Sequence, residues 1–302
     1  MKRTFYLLVG VALVVVVGYL ALTGKRSDTV RIGGKKFTEG YIMGEMISAV
    51  LEAEGLSVEE KFDMGSGIVR DALENGQVDL YWEYTGTAYV MHHQLHDPAV
   101  MRDPRRVYDA VKRLDAEKGL VWLDPAAFNN TYTLLMTQEQ ARRLNIRSVS
   151  DLAAYVTVHP EAVSLASNAE WFARPDGFQG LGAHYDFEFP PGQVVKMEAG
   201  LIYRALRDGE VDVGMGYSTD ARILALNLVN LEDDRSFFPI YNPAPVVRAE
   251  LLEQHPGLGD KLNRISRLLT DESITRLNYL VDIEQQTPQQ AARDWLREQG
   301  LL

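Results

Sequence analysis

From Val30 onward the hydrophobic and polar positions switch repeatedly between a short period and a helical one. "VRIGG" reads as a short buried strand, and "TEGYIMGEMISAVLEAEG" follows as a helix whose apolar stripe is Ile42, Met46, Ile47 and Val50. Thr38 is the expected N-cap of that helix and Gly55 its end. "LSVEEKF" alternates as a strand does, "SGIVRDALENG" is a helix closed by Asn75-Gly76, and "QVDLYWEY" is the next strand. The helix "PRRVYDAVKRLDAEKG" has Pro104 in its first turn and Gly119 at its end. After "DPAAFNNTYTLLM" the alternation restarts through "VSLAS", "QVVKM", "AGLIYRALRDG" and "EVDVGMGYS". Beyond "EDDRSFFPIYNPAPVVR" the strands stop, and the chain from Glu250 is helical, with Thr287 as a cap and Pro288 in the first turn of the last helix. Strands and helices in this order predict an α/β protein with helices on both sheet faces and a C-terminal helical segment.

One part of the pattern occurs twice. "NGQVDLYWEYTG" from Asn75 and "DGEVDVGMGYST" from Asp208 align without a gap, since 209 − 76 = 133 and 217 − 84 = 133. Val78-Asp79 falls on Val211-Asp212, Ala72-Leu73 on Ala205-Leu206, Tyr84 on Tyr217, and Thr85 on Ser218. A duplicated helix-turn-strand that ends each copy on a tyrosine predicts two lobes facing one cleft, because ligands of open α/β sheets bind beyond the carboxyl ends of the strands. Tyr84 and Tyr217 are then expected to face each other. Crossings near 128–133 and 233–241 put 28–131 and 236–302 in lobe 1 and 132–235 in lobe 2.

The bulk properties narrow this further. A chain of 302 residues, 46% hydrophobic, is long enough for two cores. Its net charge of −11 argues against nucleic acid as a partner. The absence of cysteine excludes disulfides, thiol nucleophiles and Cys-metal sites. Behind Lys2-Arg3, the run Phe5 to Leu22 carries no charge in 18 residues. As a helix it would extend roughly 27 Å, close to the apolar thickness of a bilayer. Residues 1–27 therefore read as an export segment, an uncleaved anchor in preference to a cleaved signal, with the rest in the periplasm or on the outer face of the cytoplasmic membrane. His92, His93 and His96 lie close together, but with no clear further ligand they read as a solvated helix end and not a metal site. Glu232-Asp233-Asp234 reads as a solvated turn. No G-x-S-x-G elbow, P-loop or Ser-His arrangement is present, so no enzyme, cofactor or metal is expected.

Aromatic side chains at strand ends suit one ligand chemistry. A quaternary ammonium cannot donate hydrogen bonds, and proteins hold it by the negative faces of several rings at about 0.5–2 kcal/mol each. Two further tyrosines, Tyr132 in "NNTY" and Tyr241 in "PIYNPAP", lie in the crossings, and with Tyr84 and Tyr217 they make a candidate cage. A receptor for another small zwitterion such as an amino acid is the alternative; it would need an acidic group for the ammonium.

"IGGKKFTEGYIMGEM", "WEYTGT", "NNTYTLLM", "RPDGFQGL", "GEVDVGMGYSTD" and "YNPAPVVR", in this order, resemble the substrate-binding proteins of osmoprotectant ABC transporters of the glycine betaine/choline/carnitine type. The resemblance implies a two-lobed periplasmic-binding-protein fold of type II, a monomer that closes on its ligand and delivers it to a membrane permease. It puts the tyrosine cage on Tyr84, Tyr132, Tyr217 and Tyr241. It also implies that Lys35 and Arg174 meet a ligand carboxylate, with Thr87 as a hydroxyl donor and Glu170 beside the methyl groups. "GGKKFTEG" has two lysines, so Lys36 competes with Lys35 for the inward position.

Overall fold

A computed structural model describes residues 29–302, and the apolar run Phe5 to Leu22 lies outside them. In chain order the strands are β1 (Thr29–Lys35), β2 (Ser57–Met64), β3 (Leu80–Tyr84), β4 (Leu120–Trp122), β5 (Tyr132–Thr137), β6 (Leu165–Ser167), β7 (Val194–Lys196), β8 (Val213–Tyr217), β9 (Leu228–Asn230) and β10 (Pro243–Arg248). They form two five-stranded sheets, β2-β1-β3-β10-β4 and β7-β6-β8-β5-β9. The chain thus crosses from one sheet to the other between β4 and β5 and returns between β9 and β10. Within each sheet four strands run in one direction, and the strand that follows a crossing is antiparallel to both its neighbours.

Local sequence accounts for most of these elements. Every residue of β3 is buried, as a central strand covered on both faces requires. The Thr38–Ala53 helix buries the predicted stripe of Ile42, Met46, Ile47 and Val50, and Gly55 closes it at φ +79°. Thr38 does not cap it. Phe37 occupies the N-cap, and the Thr38 hydroxyl instead donates to Asp282 at 2.7 Å, a partner 244 residues away. Asp282 ends the Asp271–Asp282 helix, which with the Leu258–Leu268 and Pro288–Glu298 helices packs on the Thr38–Ala53 helix.

The duplication is structural. Ile32 on β1 lies opposite Leu80 on β3, and Leu165 on β6 opposite Val213 on β8; both pairs are related by the 133-residue offset seen in the sequence. Asp79 accepts the backbone N–H of Arg31 at 2.8 Å, and Asp212 accepts that of Ser164 at 2.8 Å. These aspartates fasten equivalent strands at equivalent points, which explains why each copy carries Val-Asp.

The hydroxyl after each tyrosine also has a use. Thr85 donates from its N–H to the Asn242 carbonyl at 3.0 Å, and Ser218 does the same to Thr131 at 3.0 Å. The Thr85 hydroxyl donates to the Ile240 carbonyl at 3.1 Å and accepts from Asn242 N–H at 3.2 Å. The Ser218 hydroxyl donates to the Asn129 carbonyl at 3.0 Å and accepts from Thr131 N–H at 3.1 Å. Each copy therefore pins one crossing to the end of its central strand. Ser218→Ala and Thr85→Ala are each expected to cost about 1–2 kcal/mol in urea unfolding, since both remove a two-bond pin from partly buried backbone. Unchanged midpoints for both would show that the pins carry no stability.

Candidate functional site

The parallel strands of both sheets end at one place. Lys35, Met64 and Tyr84 finish β1, β2 and β3; Lys196 and Tyr217 finish β7 and β8; and Asn168 follows β6. All six line a single cavity of about 510 Å³. Among the predicted site residues Lys35, Tyr84, Thr87, Tyr132, Glu170, Tyr217 and Tyr241 line it as well, and Arg174 alone is set back. The rings form a connected wall. Tyr132 lies 5.6 Å from Tyr217 and 5.4 Å, edge to face, from Tyr241.

A fifth ring joins them. Phe37 lies 6.0 Å from Tyr84 and stacks at 5.4 Å on Tyr217, so Tyr84 and Tyr217 do not meet directly but through it. Phe37 is placed there as the N-cap residue of the Thr38–Ala53 helix, directly after β1.

Both predicted cations are buried and already paired. Lys35 is buried with its Nζ 2.5 Å from Glu83, while Lys36 is half-exposed with Glu198 at 3.6 Å, and both lysines line the cavity. Glu83 also accepts from Tyr81 at 2.6 Å and contacts His92 at 2.8 Å. Burial alone would push the Glu83 carboxyl up, but the charge on Lys35 and the bond to His92 outweigh it and hold the carboxyl well below the usual range. Arg174 is clasped by Asp176 through two bonds of 2.8 and 2.6 Å, and Asp176 accepts from the Tyr241 hydroxyl. Lys35 stands 4.9 Å over the Tyr84 ring and Arg174 stands 5.4 Å over Tyr132. An unpaired cation there would compete for the ring's negative face. Each instead brings its own carboxylate, Glu83 for Lys35 and Asp176 for Arg174, which offsets its charge beside the rings.

The tyrosine hydroxyls stay protonated, because burial pushes Tyr84, Tyr132, Tyr217 and Tyr241 up. Tyr84 donates to Glu39 at 2.6 Å, and the Tyr217 hydroxyl is met by Asn168 at 3.2 Å. Glu39 is a buried junction that also receives Asn130 at 2.9 Å and Thr219 at 2.7 Å. It ties the first sheet's helix to a crossing and to the end of β8. Burial pushes its carboxyl up, and these donors offset part of that rise. Sequence spacing gave no hint of Glu39, because none of its partners is near it in the chain.

Two expectations are corrected. His92 and His93 are not a solvated helix end. The chain makes a π turn over Ala88–His92, and the two adjacent rings are turned inward to different buried carboxylates, His92 to Glu83 and His93 to Asp115 at 2.9 Å. Among the described residues no group of His, Cys, Asp and Glu could hold a metal ion. Asp233 is no solvated turn residue either; it accepts from Tyr185 at 2.5 Å and from the N–H groups of Phe237 and Phe238 at 2.9 Å each. The glycine of "RPDG" has a plain reason. A Cβ on Gly177 would fall 1.8 Å from the Trp171 carbonyl oxygen, so only glycine permits the turn that brings Asp176 back onto Arg174.

Known proteins share this architecture. The chain is 40% identical over 290 residues to a glycine-betaine-binding protein of Pseudomonas aeruginosa, covering 94% of this chain and 92% of that one. It is 34% identical over 309 residues to the carnitine transport binding protein OpuCC of Listeria monocytogenes, covering 99% and 97%. The solved structure of YehZ from Escherichia coli in its apo form superposes with a TM-score of 0.65 at 31% identity, over 91% of this chain and 99% of that one. The fold is that of the type II periplasmic binding proteins. With residues 28–298 matching the family model described as the substrate-binding domain of ABC-type glycine betaine transport systems, the chain belongs to that family.

Proposed function

We propose that this chain is an extracytoplasmic receptor that holds a quaternary ammonium solute, glycine betaine foremost with choline, carnitine and proline betaine in the same class, and delivers it to an ABC permease. The observation that carries the reading is the set of five rings, Phe37, Tyr84, Tyr132, Tyr217 and Tyr241, around one cavity where the strands of two sheets end. A methylated cation gains from each ring face and asks for no hydrogen-bond acceptor. The receptor works as a monomer without cofactor, metal or catalysis. Its lobes are 28–131 with 236–302 and 132–235, closing about the two crossings. Both lobes line the cavity, so the closed form has the higher affinity and the ligand selects it.

Calorimetric titration with glycine betaine and then choline tests the function. Micromolar binding of either supports the receptor reading; no heat with either, from folded protein, removes it. Glu170, a carboxylate on the cavity wall, is the feature an amino-acid ammonium would use, so glycine and proline belong in the same titration. Binding of these in preference to glycine betaine would establish the amino-acid receptor instead.

Arg174 is the proposed reader of a ligand carboxylate, by its planar fork. Arg174→Lys keeps a charge beside Asp176 but loses the fork. It is expected to weaken glycine betaine about tenfold and choline by less than about threefold. Equal losses for the two would take Arg174 out of that role.

A further inference from the structure

We infer that Glu170 is a built-in stand-in for a ligand carboxylate, and that its charge sets how the site chooses between cationic and zwitterionic quaternary ammonium ligands. The inference rests on the receptor reading above and goes into its specificity.

Two anion-seeking features converge on Glu170 from opposite sides of the cleft. The Ser66–Glu74 helix of the first sheet begins at Gly65, and no side chain of its own caps its N-terminus. The Ser66 N–H instead points to Glu170 Oε2 at 3.4 Å, 104 residues away on the other lobe. The start of a helix attracts negative charge. On the other side is Arg174, which is 1% exposed and whose Nη1 makes no hydrogen bond. That atom lies 3.5 Å from Glu170 Oε1. Both contacts are long, so Glu170 holds the Ser66 N–H only loosely and leaves Arg174 Nη1 without a hydrogen bond. It also lines the cavity while Arg174 does not, and so it screens the guanidinium from the ligand.

A ligand without a carboxylate leaves Glu170 in place and gains a counter-charge beside the cage. A ligand with a carboxylate must push Glu170 aside to reach Arg174 Nη1 and the Ser66 N–H.

Titration of the full chain and of Glu170→Gln and Glu170→Ala with glycine betaine and choline tests this. In both variants glycine betaine is expected to bind more tightly and choline more weakly. The ratio of the two dissociation constants should move by about tenfold or more, because loss of one nearby charge acts on the two ligands in opposite directions. The ratio cancels any general loss of folded protein, and either variant alone suffices to read it. A ratio that stays within about twofold of the parent's overturns the inference while leaving the receptor reading intact. A parent that binds neither ligand overturns both.

Discussion

Tyr132→Ala is expected to weaken glycine betaine by at least about a hundredfold, the largest effect of any single ring. Tyr132 is the ring with the most aromatic neighbours, with Tyr217, Tyr241, Trp171 and Phe238 between 5.4 and 6.4 Å and Arg174 at 5.4 Å. Its removal deletes one cation–π face worth about 2 kcal/mol in a desolvated site and frees the two tyrosines that lean on it. Deleting a buried aromatic also costs about 3–5 kcal/mol of stability, so the titration needs a parallel check of folding by circular dichroism. Tyr132→Phe keeps the ring and is expected to stay within about threefold of the parent. If the alanine variant folds and binds as the parent does, the cage is wrong.

The second large effect is on stability and is remote from the cavity. Asp115 is buried and receives two bonds from Arg70 at 2.8 and 2.5 Å, one contact from His93 at 2.9 Å, and one from Trp122 Nε1 at 2.6 Å. Burial by itself would push its carboxyl up, but Arg70 and His93 outweigh it and hold it well below the ordinary range. Asp115→Ala leaves the buried Arg70 guanidinium paired only with Glu74 and should cost about 3–5 kcal/mol in urea unfolding. The pH sign follows from the depressed value. A carboxyl held lower in the folded state than in the unfolded chain stabilises fully above about pH 4, and that contribution drains away as the pH falls below it. The parent should therefore lose stability on acidification more steeply than Asp115→Ala. Parallel acid limbs for the two would show that the pair contributes nothing through ionisation.

What the sequence disclosed, and what it hid, divides along a physical line. Strands, helices and the repeat were legible because they depend on period, turn residues and a constant offset, all local in the chain. The four tyrosines were legible because strand ends and crossings are where α/β sheets present side chains. Glu39, Asp115 and the Thr38–Asp282 bond were not, since each is a long-range polar partnership chosen only once the sheets are assembled. The inward turn of His92 and His93 was hidden by a single wider turn, which rotates side chains off the positions that a regular helix assigns. Phe37 was hidden by its position outside any apolar stripe, at a helix cap where an aromatic usually serves only packing.

Tyr132 opens β5 and Tyr241 precedes β10, so two of the cage's rings ride on the segments that connect the lobes. In the proposed closure, a ligand held there would sit at the fulcrum of the motion and not at its rim. Rotation about a fulcrum displaces nearby atoms little and distant ones much. Under that proposal, small differences in how a ligand seats against Tyr132 and Tyr241 would be magnified with distance into the separation of the cleft's outer lips, and the outer shape would become a mechanical readout of what the cavity contains.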